Sequence, residues 1–477
     1  MCTAALLAKD GVKVTLLEKT DRVGGRASVM QRDGFIFDRG PSWYQVPEAF
    51  ERFFAHFGTH PSDYYELSLL DPQYRLFVAP GEHFDFAPGT DAAADIFERV
   101  EPGSAARLAS YMKIAKHQYE LSMSEVVYRN MDSLADYMKP RNALKMAQFR
   151  VAQTLSGLVD ATVSHPTLRK ALLYPSLFVG GNPRTLPALF SLMSYVDIGI
   201  GTYYPTGGIG AFIHGLERLC REQGVDIRLS EEASSFDTHE GRVTAVVTKD
   251  SRYRADVVVS AADYPHTELD LLPEDARQYP QNHWDGLVRS PSAFVAYIGL
   301  KGRVKNLAHH NLFMPDNWET YLDDLFRKPA LSPDPAFYLS VPSITDPSVA
   351  PAGCENIFVT VQIPSGITVN ETERTSYFDR IIGLVETYSG ESLRERILFR
   401  EIFAGQDFAE RYHSYRGAAL GLATNFRQAM FRPRNRSTRL ANLFYAGQYT
   451  SPGPGMPMCV ISAEKAADRV REALRAL

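Results

Sequence analysis

One stretch limits the fold of this 477-residue chain more than any other: "TAALLAKDGVKVTLLEKTDRVGGRAS", residues 3–28. Its first part carries alanine and leucine at helical spacing and stops at Asp10-Gly11, a common helix end. "VKVTLLE" follows at once, β-branched and apolar, reads as a buried parallel strand, and puts Glu18 at the strand's carboxyl end. In a doubly wound sheet an acidic residue at that place accepts hydrogen bonds from a ribose. Gly24 and Gly25 then allow backbone N–H groups close to a pyrophosphate, with Arg26 supplying a charge-assisted bond. An exposed strand-end glutamate and a plain glycine turn would explain each piece separately, but their spacing favours the back half of a dinucleotide-binding βαβ unit. No glycine precedes Gly11, so a strand and G-x-G-x-x-G loop, the front half, do not stand ahead of it.

A single hydrophobic core rarely grows past about 250–300 residues, so two or three domains are expected. "RDGFIFDRGPSWY" alternates and then turns at Gly40-Pro41. From about residue 47 to 200 the pattern is mostly helical, as in "LASYMKIAKHQYELSM", and reads as a helical insertion with a large apolar interior. Gly207, Gly208 and Gly210 imitate a phosphate loop but lack its third glycine and its preceding strand, so they read as the turn into an amphipathic helix ending at Gly224. "VDIRL", "RVTAVVT" and "ADVVVSAAD" read as strands, the last two as a hairpin. Residues 280–400 mix strands such as "SAFVAYIGL" and "NIFVTVQI" with the helix "TSYFDRIIGLVETY". The chain closes with "NLFYAGQYTSPGPGMPMCVISAEKAADRV", a strand, a Gly/Pro loop and a helix from near Met458. That helix's N-terminal dipole could face a developing negative charge such as the N1/C2=O end of a reduced flavin; a plain structural crossover fits the stretch equally well.

Fifty-one basic residues against 56 acidic, with no long block of either, give no reason to expect a nucleic acid partner. Arg427, Arg432, Arg434, Arg436 and Arg439 cluster, and read first as a solvated loop and second as a contact for anionic lipid headgroups. Four scattered cysteines suggest neither disulfides nor zinc and fit a reducing cytosol. His309, His310 and His413 lack partners at metal-like spacing, so they read as surface or satisfied histidines, and no metal site is expected. No nucleophile elbow, H-E-x-x-H or Walker loop occurs, which removes hydrolysis and phosphoryl transfer. No run of about 18 apolar residues is present to span a membrane.

Taken together, "VTLLEKTDRVGGRAS", "GFIFDRGPS", "FVGGNPRTLPALFSLMSY", "YYPTGGIGAFIHGL", "DVVVSAAD" and "YAGQYTSPGPGMPMCVISAE" resemble the bacterial and fungal carotenoid desaturases of the phytoene desaturase type, within the FAD-containing amine-oxidase-like superfamily. The resemblance covers essentially the whole chain. It implies an α/β fold: a Rossmann-like FAD-binding domain built from residues 1–43, 205–275 and 401–477, interleaved with a helix-rich α+β substrate domain of 44–204 and 276–400. It implies that Glu18 holds the adenosine ribose, that Gly24, Gly25 and Arg26 line the pyrophosphate, and that Gly40, Pro41 and Ser42 approach the flavin. Ala233 and Ala261 would lie by the adenine; Gly447, Gly455 and Met456 would sit at the flavin end. The family opens with a strand and G-x-G-x-x-G loop just before "TAALLAKDG", so the expectation here is an N-terminally truncated unit, through a misplaced gene start or a true truncation, that holds FAD weakly. The implied function is desaturation of a long apolar, phytoene-like polyene by hydride transfer to flavin, with no catalytic residue assigned. The implied location is cytoplasmic, peripheral at the inner face of the membrane. Alternatives on the same fold are a carotenoid isomerase or saturase, a ketone-forming oxidase, or a non-catalytic remnant.

Overall fold

The computed structural model describes residues 1–130 and 148–475. Helix α1 (Cys2–Lys9) ends where Gly11, at φ +84°, donates its N–H to Ala8 O (2.9 Å) and turns the chain into strand β1 (Thr15–Leu17). β1 runs parallel to β8 (Asp226–Arg228), in register Leu16 to Ile227, and a second parallel pair joins β12 (Val258–Ser260) to β18 (Leu443–Tyr445). The two pairs are not hydrogen-bonded to each other, and Val14 and Leu16 on one side and Val257 and Val259 on the other line the same cavity. Ala5, Leu6 and Leu7 of α1 pack with Cys220 and Leu219 of α5 (Ile209–Glu222) and with Val460 and Ala467 of α7 (Met456–Leu474).

The turn before α5 is a helix start, not a phosphate loop. Asp38, at the end of the hairpin strand β3 (Phe35–Asp38), accepts from the N–H groups of Ile209 (2.8 Å) and Gly210 (2.9 Å) and so caps α5 from a distant part of the chain. Burial raises the Asp38 carboxyl to about 6, and the two N–H groups oppose that rise.

A seven-stranded sheet forms the second centre. Its order is β17 (Ile397–Phe403), β13 (Ser292–Lys301), β16 (Cys354–Ile363), β15 (Phe337–Ser340), β14 (His310–Phe313), β5 (Tyr74–Ala79) and β6 (Glu82–Phe86), antiparallel except where β14 meets β5. β13 (Ser292–Lys301) is buried on both faces: Phe294, Ala296, Ile298 and Leu300 face helix α6 (Glu371–Ser389), while Ala293, Val295 and Tyr297 face the helical layer that includes α3 (Thr90–Val100) and α4 (Ser104–Ser122). Two-sided burial explains why "SAFVAYIGL" is continuously apolar rather than alternating. α6 starts at a reciprocal cap, with Glu373 N donating to Asn370 Oδ1 (3.0 Å) and Asn370 N to Glu373 Oε2 (2.9 Å), and stops at Gly390, φ +71°.

Several expectations need correction. The stretch from 47 to 200 is not mainly helical throughout: β5 and β6 (Glu82–Phe86) form a hairpin that joins the large sheet, because "YRLFVA" and "HFDF" alternate around Gly81 at φ +74°. Part of that stretch, 131–147, lies outside the described residues. β10 (Arg242–Thr248) pairs with β9 (Ala233–His239) and β11 (Arg252–Arg254), and "ADVVVSAAD" leaves that hairpin to supply β12. Helix α2 (Pro47–Ala55), assigned to the substrate domain, buries Phe50, Phe53 and Phe54 in the core of α1, α5 and α7. The boundary at residue 400 falls inside β17 (Ile397–Phe403). α7 begins at Met456, two residues ahead of Met458.

Candidate functional site

One cavity of about 1710 Å³ runs between the parallel strand pairs and the large sheet. Single small-molecule sites are typically about 300–1,000 Å³, so this one has room for a large cofactor and a further ligand. Every residue expected to hold the cofactor lies on its wall: Glu18, Gly24, Gly25, Arg26, Gly40, Pro41, Ser42, Ala233, Ala261, Gly447, Gly455 and Met456.

Glu18 ends β1, and its Oε1 accepts from Thr20 N and Thr20 Oγ1, both at 2.9 Å. Among the described residues Oε2 has no protein donor, which leaves it for a ligand's hydroxyls. Gly25, Gly447 and Gly455 have φ of +54°, +117° and +109°, and a Cβ on any of them would meet nothing within 4 Å. Backbone is thus bared to the cavity at these positions, as close approach of a cofactor requires. Gly455 is also the cap of α7, where no side chain satisfies the first N–H groups of the helix. These features fit a dinucleotide with phosphates at one end and an electron-accepting ring at the other. Gly24 and Gly40 are closed instead: a Cβ would stand 2.9 Å from Ile213 Cγ2 and 2.6 Å from Arg26 O respectively, so they hold the loops together.

Arg26 donates from Nη1 to Ala419 O (3.0 Å), lies 5.0 Å over the Tyr412 ring, and places Nη2 3.7 Å from Asp263 Oδ2. Burial raises Asp263 to about 7, against the pull of Arg26. Beside Glu18, Lys19 Nζ and Glu232 Oε1 reach His413 Nε2 at 2.8 and 2.5 Å, and His413 stacks on His266 with centroids 4.0 Å apart. His413 is therefore a satisfied histidine, but one on the cavity wall. His309 and His310 are buried rather than on the surface: His309 Nδ1 bonds Thr345 Oγ1 (2.6 Å), His310 Nδ1 bonds the Tyr338 hydroxyl (2.7 Å), and burial holds both imidazoles neutral, His309 at about 3. Among the described residues no group of His, Cys, Asp or Glu could hold a metal ion.

The far wall is built differently. Val295, Thr360, Tyr338 and Leu312 are in register across β13, β16 (Cys354–Ile363), β15 (Phe337–Ser340) and β14, and all four side chains line the cavity. Phe178, Phe190 and Val196 close it from the helical layer. Trp43 joins the two walls: it follows Ser42 directly, stacks on His310 at 4.4 Å and packs on Phe178 at 5.0 Å. The cross-strand row was not visible in the sequence because it depends on pairings among strands far apart in the chain.

Residues 1–471 match the family of flavin containing amine oxidoreductases. A carotenoid 3,4-desaturase from Haloarcula japonica is 42% identical over 476 residues, 99% of this chain and 96% of that protein. A zeta-carotene-forming phytoene desaturase from Myxococcus xanthus is 32% identical, covering 98% and 91%. The solved structure of an oxidoreductase from Methanosarcina mazei shares the fold, with a TM-score of 0.62 at 16% identity over 98% of this chain and 97% of that one. A cavity with backbone bared at three open glycines, a free carboxylate oxygen at the end of β1 and an uncapped helix start matches that kinship: this chain belongs to the flavin containing amine oxidoreductase family, and its cofactor is FAD.

Proposed function

We propose that this chain desaturates a long apolar polyene of the phytoene-like carotenoid type. The observation that carries the reading is the two-part cavity, in which the apolar wall of Val295, Leu312, Phe178 and Val196 continues from the glycine-lined half. FAD, when bound, supplies the acceptor for the hydride that leaves one carbon while the neighbouring carbon loses a proton and the remaining pair forms the new C=C bond. The chain's own part is to hold and orient. Glu18 takes the ribose, Gly24, Gly25 and Arg26 take the pyrophosphate, and Ala233 and Ala261 flank the adenine. Gly40, Pro41, Ser42, Gly447, Gly455 and Met456 receive the flavin. The apolar wall excludes water and aligns the polyene. Charge delocalised over the polyene makes the departing proton acidic, so no strong base is required, and the Tyr338 hydroxyl bonded to His310 is a polar group on that wall beside Trp43.

We also propose peripheral docking on the inner face of the membrane, from which a lipid-soluble substrate enters. Phe426 and Val151 are exposed and also line the cavity, Phe431 follows the same short helix (Phe426–Met430), and Arg427 stands among them for anionic headgroups. No helix among the described residues is long and apolar enough to cross a membrane. Expression in a phytoene-making host, followed by pigment chromatography, tests the activity: more desaturated products are expected, and unchanged phytoene beside a yellow, folded protein would reject the substrate class. Flotation with anionic liposomes, and its loss in Phe426→Ser/Phe431→Ser, tests the docking.

A further inference from the structure

The arginine cluster read from the sequence as a solvated loop is split by the fold. Arg427, Arg434, Arg436 and Arg439 are exposed, whereas Arg432 turns inward and lines the cavity. Its Nη1 donates to Gln448 O (3.2 Å) and its Nη2 to Thr424 Oγ1 (3.3 Å), while Nε is buried with no acceptor. Among the described residues no carboxylate lies within ion-pair distance of it. The loop from Gly447 to Gly455 folds tightly over the guanidinium: a Cβ on Gly453, which sits at φ +137°, would stand 3.1 Å from it and crowd it. Arg432 also acts on Cys459 in the first turn of α7, whose N–H end is uncapped. The side chain keeps some accessible surface because it borders the cavity, yet it sits deep enough that burial lowers it to about 10, and it stays charged at neutral pH. A cation withdrawn from water without a counter-ion is costly, and neighbouring carbonyls and hydroxyls compensate it only in part. What completes this site is an anion inside the cavity.

We propose that Arg432 is the fixed positive charge for the pyrimidine end of FAD, set there to stabilise the negative charge that gathers on that ring when it accepts two electrons. It adds to the dipole of α7, which points at the same place. The inference rests on the reading that the flavin lies against Gly447, Gly455 and Met456. Arg432 differs from Arg26 in role: Arg26 is already paired with Asp263, while Arg432 has no acid of its own.

The FAD-loaded protein provides the test. Dye-coupled reductive titration gives the two-electron potential of wild type, Arg432→Lys and Arg432→Met, and fluorescence gives their FAD affinities. Sulfite is the second probe, since it adds to N5 with its lone pair and leaves the negative charge on the pyrimidine ring. Arg432→Met is expected to remain yellow, to lose tenfold or more of its preference for reduced over oxidised FAD, which is about 30 mV lower potential per tenfold, and to bind sulfite at least tenfold more weakly. Arg432→Lys should keep most of both. A yellow Arg432→Met protein with unchanged potential and sulfite affinity overturns the inference while leaving the FAD site intact. Equal weakening for oxidised and reduced FAD also overturns it, because the charge then serves the pyrophosphate. If the methionine variant does not fold, the wild-type protein decides alone: failure to form any sulfite adduct overturns the inference. A wild-type protein that binds no FAD rejects the cavity reading itself.

Discussion

The two walls of the cavity are made from different parts of the chain's chemistry. The cofactor side is written in backbone: Gly25, Gly447 and Gly455 present main chain at positive φ, and Gly24 and Gly40 let loops touch. The sheet side is written in side chains, a row of Val295, Thr360, Tyr338 and Leu312 contributed by four strands. A backbone wall fails at single atoms: a methyl group on Gly24 or Gly40 collides with its own loops, and one on Gly25, Gly447 or Gly455 would take space left open at the cavity wall. A side-chain wall degrades by degrees, because neighbours share the contact.

The sharpest break should come at Gly24. Valine there faces φ +109° and a Cβ contact of 2.9 Å with Ile213. Strain alone is about 1–3 kcal/mol, and displacement of the Gly24–Arg26 turn adds to it. Gly24→Val should lose FAD a hundredfold or more, seen as a colourless protein after gel filtration; a yellow variant of normal affinity would show that the wall does not depend on backbone there. Next is Glu18→Ala. Loss of one charge-assisted hydrogen bond to the ribose, about 1.5–3 kcal/mol, predicts a ten- to hundredfold weaker FAD affinity, with only a small fall in the melting temperature without FAD from the two lost Thr20 bonds.

Phe178→Ala probes the other wall. It removes a half-buried ring packed 5.0 Å from Trp43, so KM for the polyene should rise several-fold, with a stability loss of about 2 kcal/mol and FAD affinity unaltered. An FAD defect as large as that of Glu18→Ala would erase the distinction between the walls.

The smallest effect separates two buried acids. Asp263 on the cofactor side and Asp197, which accepts from the hydroxyls of Tyr174 (2.6 Å) and Tyr74 (3.1 Å) behind the apolar wall, are each raised by burial to about 7. For a carboxyl whose folded pKa is raised, the stabilising contribution is full below the unfolded value of about 4 and is lost as the pH climbs through about 7. Asparagine at either position should flatten that decline in thermal scans. Only Asp263 faces Arg26. Pyrophosphate drawing on Arg26 raises Asp263 further, so FAD binding near pH 7 should take up a fraction of a proton, at most roughly one half. Calorimetry in buffers of different ionisation enthalpy should find the uptake in wild type and Asp197→Asn and not in Asp263→Asn.

The same contrast governs what could be read in advance. Glu18, Gly24 and Gly25 stand within a few residues of one another, and their chemistry follows from local order, so helix, strand and turn came out of the sequence. The resemblance of scattered blocks to a family then placed Ala233, Gly447 and Met456 on the same wall. The register of Val295 with Thr360 and Tyr338 depends on long-range pairing that periodicity does not encode. The hairpin at Tyr74–Phe86 did carry a signal, alternation around Pro80-Gly81, which the surrounding helical pattern masked. Arg432 looked like its exposed neighbours because inward and outward residues of an irregular loop share no period. Asp38 gave no sign that it would cap a helix more than 170 residues away.

Trp43 follows Ser42 without a spacer, and its ring belongs to the second compartment while its neighbours belong to the first. The two halves of the one cavity therefore meet at Trp43, and an empty first half leaves the apolar half open to it. A newly made molecule still waiting for FAD presents that greasy interior to water and to other unfinished chains. Ligand at a hundred times its dissociation constant adds about 2.7 kcal/mol of stability, enough to change how much of a marginal protein escapes degradation.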